Sequence, residues 1–417
     1  MKAPAVPTAA AEVVVAATDL TRRFVFAHPV RALPKKIRLF IALLLCGISS
    51  PLLATILPEE RADLLYHRYD GGGVTVDGPS ILVRKNIAEK VSINANYYVD
   101  HVSSASIDVV TQASPAGYTE ERTQKSIGVD FLHDRTIMTA SFINSEESDY
   151  NADTFTFDIS QDFFGDLTNL SFGVSLGEDS VGKNGDPSFG TKTIEREQFR
   201  IGISQVITPK LLISLSWENI ADDGYLKSPY RSDYYLSSTN TRIAHEDSYP
   251  ETHDSDAFAV RALYYLPYRA ALKGEYKNYT DDWDIAADSY EVAYTHPLPK
   301  GWMVDVHVRY YQQDQAYFYY DLLPYANAFK YHARDKELST FNSTTLGFSV
   351  SYELGGRIFA DNGIDFIDKA SINFAWDRIQ FDYDNFRDIR DTSAAPGSEP
   401  LYSFDADVIR LYFSMWY

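Results

Sequence analysis

From about residue 60 onward, apolar and polar side chains alternate along the chain. In the segment 91–100, for example, Val, Ile, Ala, Tyr and Val occupy the odd positions, and Ser, Asn, Asn, Tyr and Asp stand between them. The segments 170–176, 302–310, 346–352 and 370–376 repeat this period of two. Because successive side chains of a strand point to opposite faces, the pattern predicts β-strands with one apolar face.

The alternating segments run to about ten residues, the length that a tilted strand needs to cross a bilayer. Strands of soluble sandwiches are usually nearer about five or six residues. We count sixteen strands, and the pattern is also compatible with any number from fourteen to eighteen. With an even number of strands, both ends of the barrel segment lie on the same side of the membrane. The sixteen strands are 61–70, 78–86, 90–101, 122–132, 136–146, 152–163, 168–178, 195–207, 210–220, 255–266, 269–279, 286–297, 301–312, 339–354, 368–380 and 404–417.

The connections between these strands alternate between tight and long. Tight turns are predicted at 86–89, 133–135, 165–167, 208–209, 267–268 and 299–300. Long polar loops are predicted near 102–121, 179–194, 221–254, 313–338 and 382–403, with shorter ones near 147–151 and 280–284. This asymmetry is typical of bacterial outer-membrane barrels. The sequence therefore predicts an all-β fold, a single closed antiparallel transmembrane β-barrel with short periplasmic turns and long extracellular loops.

Composition agrees with this class of protein. The 417 residues are 45% hydrophobic and 23% charged, without the several apolar runs of about 20 residues that a helical membrane protein needs. The 30 Tyr, 24 Phe and 5 Trp exclude a disordered chain. Aromatic belts lie at membrane interfaces, and we expect such a girdle, or simply good strand formers, at Tyr97, Tyr98, Trp217, Tyr264, Tyr310, Tyr311, Tyr352, Trp376 and Trp416.

The N-terminal region carries an export signal. Lys35, Lys36 and Arg38 precede the apolar run 39–48 and the small residues that lead to Ala54, which is the layout of a cleavable signal peptide. We therefore interpret 35–54 as the signal peptide, 1–34 as a non-native or disordered extension and 55–417 as the barrel. A signal anchor is the alternative. Cleavage would remove seven of the 38 basic residues and two of the 58 acidic residues, which leaves 31 and 56 and a net charge of −25. A protein with this negative charge is not expected to bind nucleic acid.

The last strand carries a second export feature. Its alternate positions are apolar and the chain ends on an aromatic residue, a pattern similar to the signal that barrel-assembly machinery reads in outer-membrane proteins. The residues are Ile409, Leu411, Phe413, Met415 and Tyr417. We expect that machinery as a partner during biogenesis, with outer-membrane lipid and lipopolysaccharide as partners of the folded barrel. A homo-oligomer remains open.

Several stretches resemble one family of exported proteins. They are 71–80 (GGGVTVDGPS), 97–111 (YYVDHVSSASIDVVT), 132–136 (LHDRT), 159–162 (ISQD), 182–187 (GKNGDP), 265–271 (YLPYRAA) and 333–341 (ARDKELSTF). Over roughly 60–417 the chain resembles the domain of unknown function 3570 family of Gram-negative bacteria. The resemblance implies an outer-membrane barrel and transfers neither an activity nor a catalytic residue.

The sequence contains no convincing catalytic or cofactor motif. His133 and Asp134 are adjacent but fall in a predicted tight turn, and the glycines at 71–73 precede no helix, so a loop between strands is expected there. The remaining histidines that we considered are scattered without metal-ligand spacing: His245, His253, His296, His307 and His332. We predict no enzyme and no cofactor.

One loop is a weak candidate for calcium binding. It contains Asp179, Asn184 and Asp186, and oxygen ligands of this kind suit Ca²⁺. A solvated acidic loop is the alternative.

The charged members of the polar face are the best candidates for function. They are predicted to point into the barrel and line a pore: Arg200, Glu218, Arg261, Lys273, Lys277, Asp305, Arg309 and Asp377. Mixed charges tune ion selectivity, and a barrel of about sixteen strands encloses an aqueous channel unless loops plug it. We expect a porin-like channel for passive diffusion of small hydrophilic solutes. The alternative is a non-conducting structural or assembly platform that presents acidic loops to a partner.

Overall fold

The computed structural model describes residues 56–104, 118–355, 359 and 365–417. Its strands, numbered in chain order, are β1 (Arg61–Gly71), β2 (Val74–Ala88), β3 (Val91–Ser104), β4 (Tyr118–His133), β5 (Thr136–Glu146), β6 (Tyr150–Phe163), β7 (Thr168–Val181), β8 (Lys192–Thr208), β9 (Leu211–Gly224), β10 (Ser232–Leu236), β11 (Arg242–Glu246), β12 (Thr252–Tyr265), β13 (Ala271–Asp281), β14 (Ala286–Pro297), β15 (Trp302–Gln313), β16 (Phe341–Gly355), β17 (Lys369–Arg387) and β18 (Leu401–Trp416). The predicted signal peptide and N-terminal extension lie outside the described residues.

Sixteen of these strands form one closed antiparallel barrel, as predicted. Each barrel strand pairs with the next one along the chain, except that β9 pairs with β12, because β10 and β11 form a separate hairpin between them. The barrel closes where β1 pairs with β18, in a register that runs from Arg61 opposite Trp416 to Gly71 opposite Ala406. Closure leaves no free sheet edge, so every barrel strand has a hydrogen-bonded neighbour on both sides.

The two ends of the barrel differ in their connections. Among the connections that the structure describes, the turn end holds 89–90, 134–135, 164–167, 209–210, 266–270 and 298–301, and the loop end holds 72–73, 147–149, 182–191, 225–251, 282–285, 314–340 and 388–400. The longest of these described connections lie at the loop end, as predicted. Among the described residues, no helix is both long enough and apolar enough to cross a membrane.

Some strands extend beyond their predicted ends at the loop end. β17 continues to Arg387 and β8 begins at Lys192, whereas we predicted bounds of 380 and 195. The predicted loop 221–254 also contains the hairpin of β10 and β11. The prediction followed apolar side chains on one face, and that pattern ends before either strand does. β8 begins with the polar Lys192 and Thr193, and in β17 the apolar side chains move to the inner face at Phe381 and Tyr383. Backbone hydrogen bonding continues past that point, so the pattern underestimates strand length.

One connection at the loop end is a two-residue turn. Gly72 and Gly73 join β1 to β2 with φ values of 60° and 80°. Positive φ at both central positions is the requirement of a type I′ hairpin turn, and glycine meets it without steric cost. The glycine run is therefore a loop between strands, as expected from the absence of a following helix.

The outer face of the barrel is apolar around its middle. Strand register aligns Phe142, Phe155 and Leu176 across β5, β6 and β7, and these side chains are all exposed. On another part of the wall Val292 of β14, which is 57% exposed, lies between Gly274 of β13 and the exposed Val308 of β15. Water-soluble monomers rarely expose contiguous apolar patches larger than a few hundred Å². A continuous apolar band is the surface that hydrocarbon requires.

The expected aromatic girdle is partly wrong. Tyr97 and Tyr310 are exposed on the outer face, but their sequence neighbours point inward. Tyr98 stacks on His67 with ring centroids 4.8 Å apart, and Tyr311 donates a hydrogen bond of 2.7 Å to Gln313. Adjacent residues of a strand face opposite ways, so only one tyrosine of each pair can face outward.

The apolar band predicts how a buried cation would affect stability. Leu215 lies on the outer face of β9, paired with Ile203 and Val260, and Leu215→Arg should lower the free energy of unfolding in lipid by about 2–4 kcal/mol. The neighbouring Ser216 points inward, opposite Gly202 and Ala259, so Ser216→Arg should change it by less than about 1 kcal/mol. Denaturant titration of both variants in vesicles measures the difference. Equal losses would contradict a lipid-facing Leu215.

Candidate functional site: the barrel interior and its cap

The charged side chains predicted to line the pore share the inner face of the barrel. Strand register places Arg200 opposite Glu218, Lys273 beside Leu263, and Asp377 opposite Gly347. The alternation of side chains along their strands also directs the other predicted residues inward: Arg261, Lys277, Asp305 and Arg309. All eight therefore point away from the apolar band. That they line a conducting pore stays a prediction.

Most of these charges are paired with a neighbour on the same strand or one or two strands away. Arg261 and Lys277 lie 2.5 and 3.3 Å from the carboxylate oxygens of Glu275, and Lys273 lies 2.7 Å from Glu291. Arg200 donates to Asp158 at 3.0 Å, and Glu218 accepts from Gln198. The Arg261 and Lys277 side chains remain 44% and 49% exposed. The two cations are therefore accessible to solvent, although Glu275 between them is almost buried. Ion pairs with exposed members contribute little stability.

A second inner cluster surrounds His307 on β15. Its Nδ1 lies 3.7 Å from Asp305, its Nε2 lies 3.2 Å from Asp377, and Arg410 of β18 also donates to Asp377. The predicted pore-lining residues did not include His307, Arg410, Asp158 or Glu291. Their strand parity could have identified them, since each alternates with outward apolar neighbours.

Arg309 has fewer partners than the other inner cations. It donates to Thr345 at 3.5 Å, and its Nε has no hydrogen-bond partner among the described residues. A cation with few protein partners exerts more of its field on ions that pass nearby. Arg309 is therefore the predicted pore residue with the strongest expected effect on ion selectivity.

The wall formed by β1 to β4 carries a further set of inward ion pairs, whose members were not among the predicted pore-lining residues. Arg84 pairs with Asp130, and Asp100 accepts from His67 at 2.7 Å and lies 2.6 Å from Arg122. Inward charge pairs therefore occur on both sides of the barrel.

Three loop-end segments, 225–251, 314–340 and 388–400, fold together, and we call them the cap. Backbone bridges join Tyr235 to Leu323 and Ser248 to His332, and Arg242 pairs with the buried Glu399. Two connections between wall strands also hold the cap through Tyr230. The ring oxygen of Tyr230 donates a hydrogen bond to Asp149, between β5 and β6, and accepts one from the backbone amide of Asn184, between β7 and β8. The cap therefore extends from the β5–β8 side toward the β15–β18 side.

An aromatic cluster fixes the cap against the inside of the barrel. Phe318, Tyr319 and Leu338 of the cap are buried together with Trp283. They pack against inward residues at the loop end of the wall: Tyr279, Phe341, Phe381, Tyr383, Tyr402 and Phe404. Burying side chains of this size contributes about 1.5–3 kcal/mol each at most. The cap is a packed part of the fold, and it narrows the loop end of the interior.

Buried ion pairs add to the cap. Arg231 lies 2.9 Å from Asp335 and 2.7 Å from Glu337. Burial disfavours the ionised form of Glu337, but Arg231 and Lys336 outweigh it and hold its pKa well below the usual value. The same balance, with Arg242 as the cation, lowers the pKa of Glu399. Both carboxylates are therefore ionised and paired at neutral pH.

The prediction that the histidines lie scattered is wrong for two of them. His245 and His332, far apart in sequence, both contact the buried Asp233, and their ring centroids lie 4.9 Å apart. Burial raises the pKa of Asp233 to about 7 and lowers that of His332. No local motif could have indicated this cluster, because the folding of the cap brings its members together.

The three residues of the calcium candidate have separate hydrogen-bond partners within the protein. Asp179 is buried on β7 and accepts from Tyr150, Asn184 donates to Ser148 at 2.6 Å, and Asp186 accepts from the Ser188 backbone amide at 3.1 Å. Calcium binding by this loop stays a prediction.

Two other sequence features keep the positions expected for them. His133 and Asp134 lie at the tight turn after β4, both exposed and 3.7 Å apart. Ile409, Leu411 and Phe413 point outward from β18, and the ring oxygen of Tyr417 donates to the Arg84 carbonyl at 2.9 Å. The terminal residue thus reaches across β1 to β2 and links strands on both sides of the closure. Recognition of this strand by assembly machinery stays a prediction.

Comparison with known proteins identifies the family. The sequence matches the family described as Protein of unknown function (DUF3570) over residues 107–370. The chain belongs to this family. The match confirms the resemblance found in the sequence, and the description of DUF3570 supplies no activity. No curated protein sequence matches the chain.

Solved structures similar to this DUF3570 chain are barrels, with low sequence identity. The siderophore receptor PirA from Pseudomonas aeruginosa is 8% identical, with 79% of this chain and 57% of that receptor covered and a TM-score of 0.40. A bacterial polysaccharide outer membrane secretin is 8% identical, with 85% and 98% covered and a TM-score of 0.45. The CymD monoaromatic hydrocarbon channel is 9% identical, with 87% and 89% covered and a TM-score of 0.40. The chain spans little more than half of the siderophore receptor.

The buried cation of the cap gives a local stability prediction. Arg231→Ala would leave Asp335 and Glu337 without their shared partner, which should lower the stability of the cap by roughly 3 kcal/mol. Amide hydrogen exchange in 225–251 and 314–340 should therefore accelerate while the barrel strands stay protected. Arg390→Ala is the matched control, because Arg390 pairs locally with the exposed loop at Asp388. Unchanged exchange in Arg231→Ala would contradict this role.

Proposed function

We propose that this chain is an integral outer-membrane β-barrel through which small hydrophilic solutes diffuse passively. One observation carries the proposal: the same strands present an apolar band on the outside and solvent-accessible charges on the inside. A soluble barrel has the opposite arrangement, with its apolar side chains packed inside. The proposal gives the chain no catalytic role.

The outer surface supports placement in a membrane. Leu215, Val292 and Val308 lie exposed near the middle of their strands, where water contact costs about 25 cal/mol per Å² of apolar surface. Hydrocarbon removes this cost, and the closed sheet satisfies the backbone hydrogen bonds that hydrocarbon cannot. The loop end faces the cell exterior, since long loops lie on that side of bacterial outer-membrane barrels. Lipid and lipopolysaccharide are then the partners of the outer face.

The inner surface supports passage of polar solutes. Cations and carboxylates alternate around the wall, as in the Arg261–Glu275 and Arg200–Asp158 pairs, so the field inside has mixed sign. A lining of both signs keeps the interior hydrated and does not select strongly for solutes of one charge. The cap narrows the loop end, which sets an upper limit on solute size.

A second function is favoured by the cap itself. Its aromatic cluster around Phe318 and its Arg231 ion pairs make it a rigid part of the fold. A cap that closes the interior entirely would make the protein a non-conducting platform that presents its loops to a partner. The cap therefore decides between the two functions.

Ion selectivity tests the channel. Purified protein in planar bilayers should conduct, and Arg309→Glu should shift the reversal potential under a salt gradient toward cation selectivity, because it reverses a charge on the inner wall. Arg68→Glu is the matched control, since Arg68 lies on the outer face beside Asp70. A shift of equal size in both variants would contradict a pore lined by Arg309, and absence of conductance would contradict the channel.

Shortening the cap separates the two functions. Replacement of 317–333 by a short Gly-Ser linker should raise single-channel conductance several-fold if the cap only narrows an existing passage. The matched control replaces the exposed residues 164–167, which lie at the turn end away from the cap, by Gly and Ser. Wild-type protein that is silent, combined with a shortened form that conducts, would instead support the closed platform.

A further inference from the structure

A compact cluster of metal-binding side chains lies within the cap, outside the inner charges on which the proposed channel depends. His245 Nδ1 lies 3.2 Å from Asp233 Oδ1, and His332 Nδ1 contacts the other carboxylate oxygen. One ligand atom from each of the three residues lies within 4.8 Å of the other two. In a tetrahedral site with metal–ligand bonds of about 2.0 Å, ligand atoms are about 3.3 Å apart. The cluster is therefore close to the size that a bound metal requires.

The backbone holds all three residues in place. Asp233 on β10 pairs directly with His245 on β11. His332 is attached to the same hairpin by two backbone hydrogen bonds of 2.8 Å with Ser248, one in each direction. Asp233 and His332 are almost completely buried, and His245 is partly exposed. Fixed, mostly buried ligands with one accessible edge are suited to binding a metal from solution.

A nearby carboxylate has no partner of its own. Asp247 is 2% exposed, and neither of its side-chain oxygens has a hydrogen-bond partner among the described residues. The carboxylates of Asp335 and Asp233 repel its charge, and Arg231 and Lys227 attract it. Lys227 donates its hydrogen bonds to Glu246 and to the backbone carbonyl of Asp247. A buried carboxylate is costly unless it is paired or coordinates a metal, so this part of the cap has a requirement for positive charge.

We propose that Asp233, His245 and His332 bind one divalent transition-metal ion, for which Zn²⁺ is the probe. Two imidazoles and one carboxylate are a ligand set that suits zinc and related metals and leaves a coordination position open. Ca²⁺ and Mg²⁺ are disfavoured, because they prefer oxygen ligands. The ion joins the β10–β11 hairpin to the segment 314–340. It thereby ties together two parts of the cap, whether or not the barrel conducts.

Calorimetry on the full chain tests this site. The protein is purified in detergent without a polyhistidine tag, stripped with a chelator and titrated with ZnCl₂. Wild type should bind one ion per chain. Because loss of even an outer partner of a metal ligand costs about 10–100-fold in affinity, His245→Gln and His332→Gln should each weaken binding by at least about tenfold. His253→Gln should bind like wild type, since His253 lies 2.9 Å from Asp281 in a comparable His–carboxylate contact outside the cluster.

A second measurement is independent of the variants' folding. X-ray absorption of the zinc-loaded wild type should show two imidazole ligands and a first shell of nitrogen and oxygen at about 2.0–2.1 Å. Wild type that binds no zinc would overturn the proposal. So would a shell of oxygen alone, or His245→Gln and His332→Gln variants that bind as tightly as wild type.

Discussion

The fold depends on one constraint, which is that every backbone amide and carbonyl within hydrocarbon needs a partner inside the protein. A sheet meets it only by closing, and here β1 pairs with β18 along its whole length. Closure fixes the position of each strand and, through the period of two, the direction of each side chain. The apolar band and the inner charges are therefore two consequences of the same arrangement.

The inner face shows what closure makes available. Side chains that would be isolated on an open sheet, such as Arg410 of β18 and His307 of β15, meet at Asp377. Ion pairs such as Lys273–Glu291 connect adjacent strands without filling the interior with apolar atoms. The cap has the opposite character, because it encloses aromatic side chains and almost fully buried charges in a small core at the loop end.

Much of the barrel could be predicted from sequence because its determinants are local. Alternation identified the sixteen barrel strands, and parity assigned Arg261 and Asp377 to one face. Where the prediction failed, the cause was physical. Tyr98 and Tyr311 were assigned to the girdle by residue type, although the alternation of the strand turns them inward. β17 was predicted too short because its apolar side chains move to the inner face at Phe381 and Tyr383.

The cap could not be predicted in the same way. Asp233, His245 and His332 belong to segments with no strong period, and only tertiary packing brings them together. Long polar loops are thus the part of this protein for which a pattern of residue types carries the least information.

Alternating solvent access along one strand tests the central claim most directly. Single cysteines introduced one at a time over 344–352 of β16, each with a nitroxide label, can be measured in vesicles for collisions with a lipid-soluble and a water-soluble relaxation agent. We expect a strict period of two, with Leu346, Phe348 and Val350 accessible from lipid, Ser349 and Ser351 accessible from water, and the buried Thr345 closed to lipid. Uniform access from water, or lipid access at both sets of positions, would contradict it.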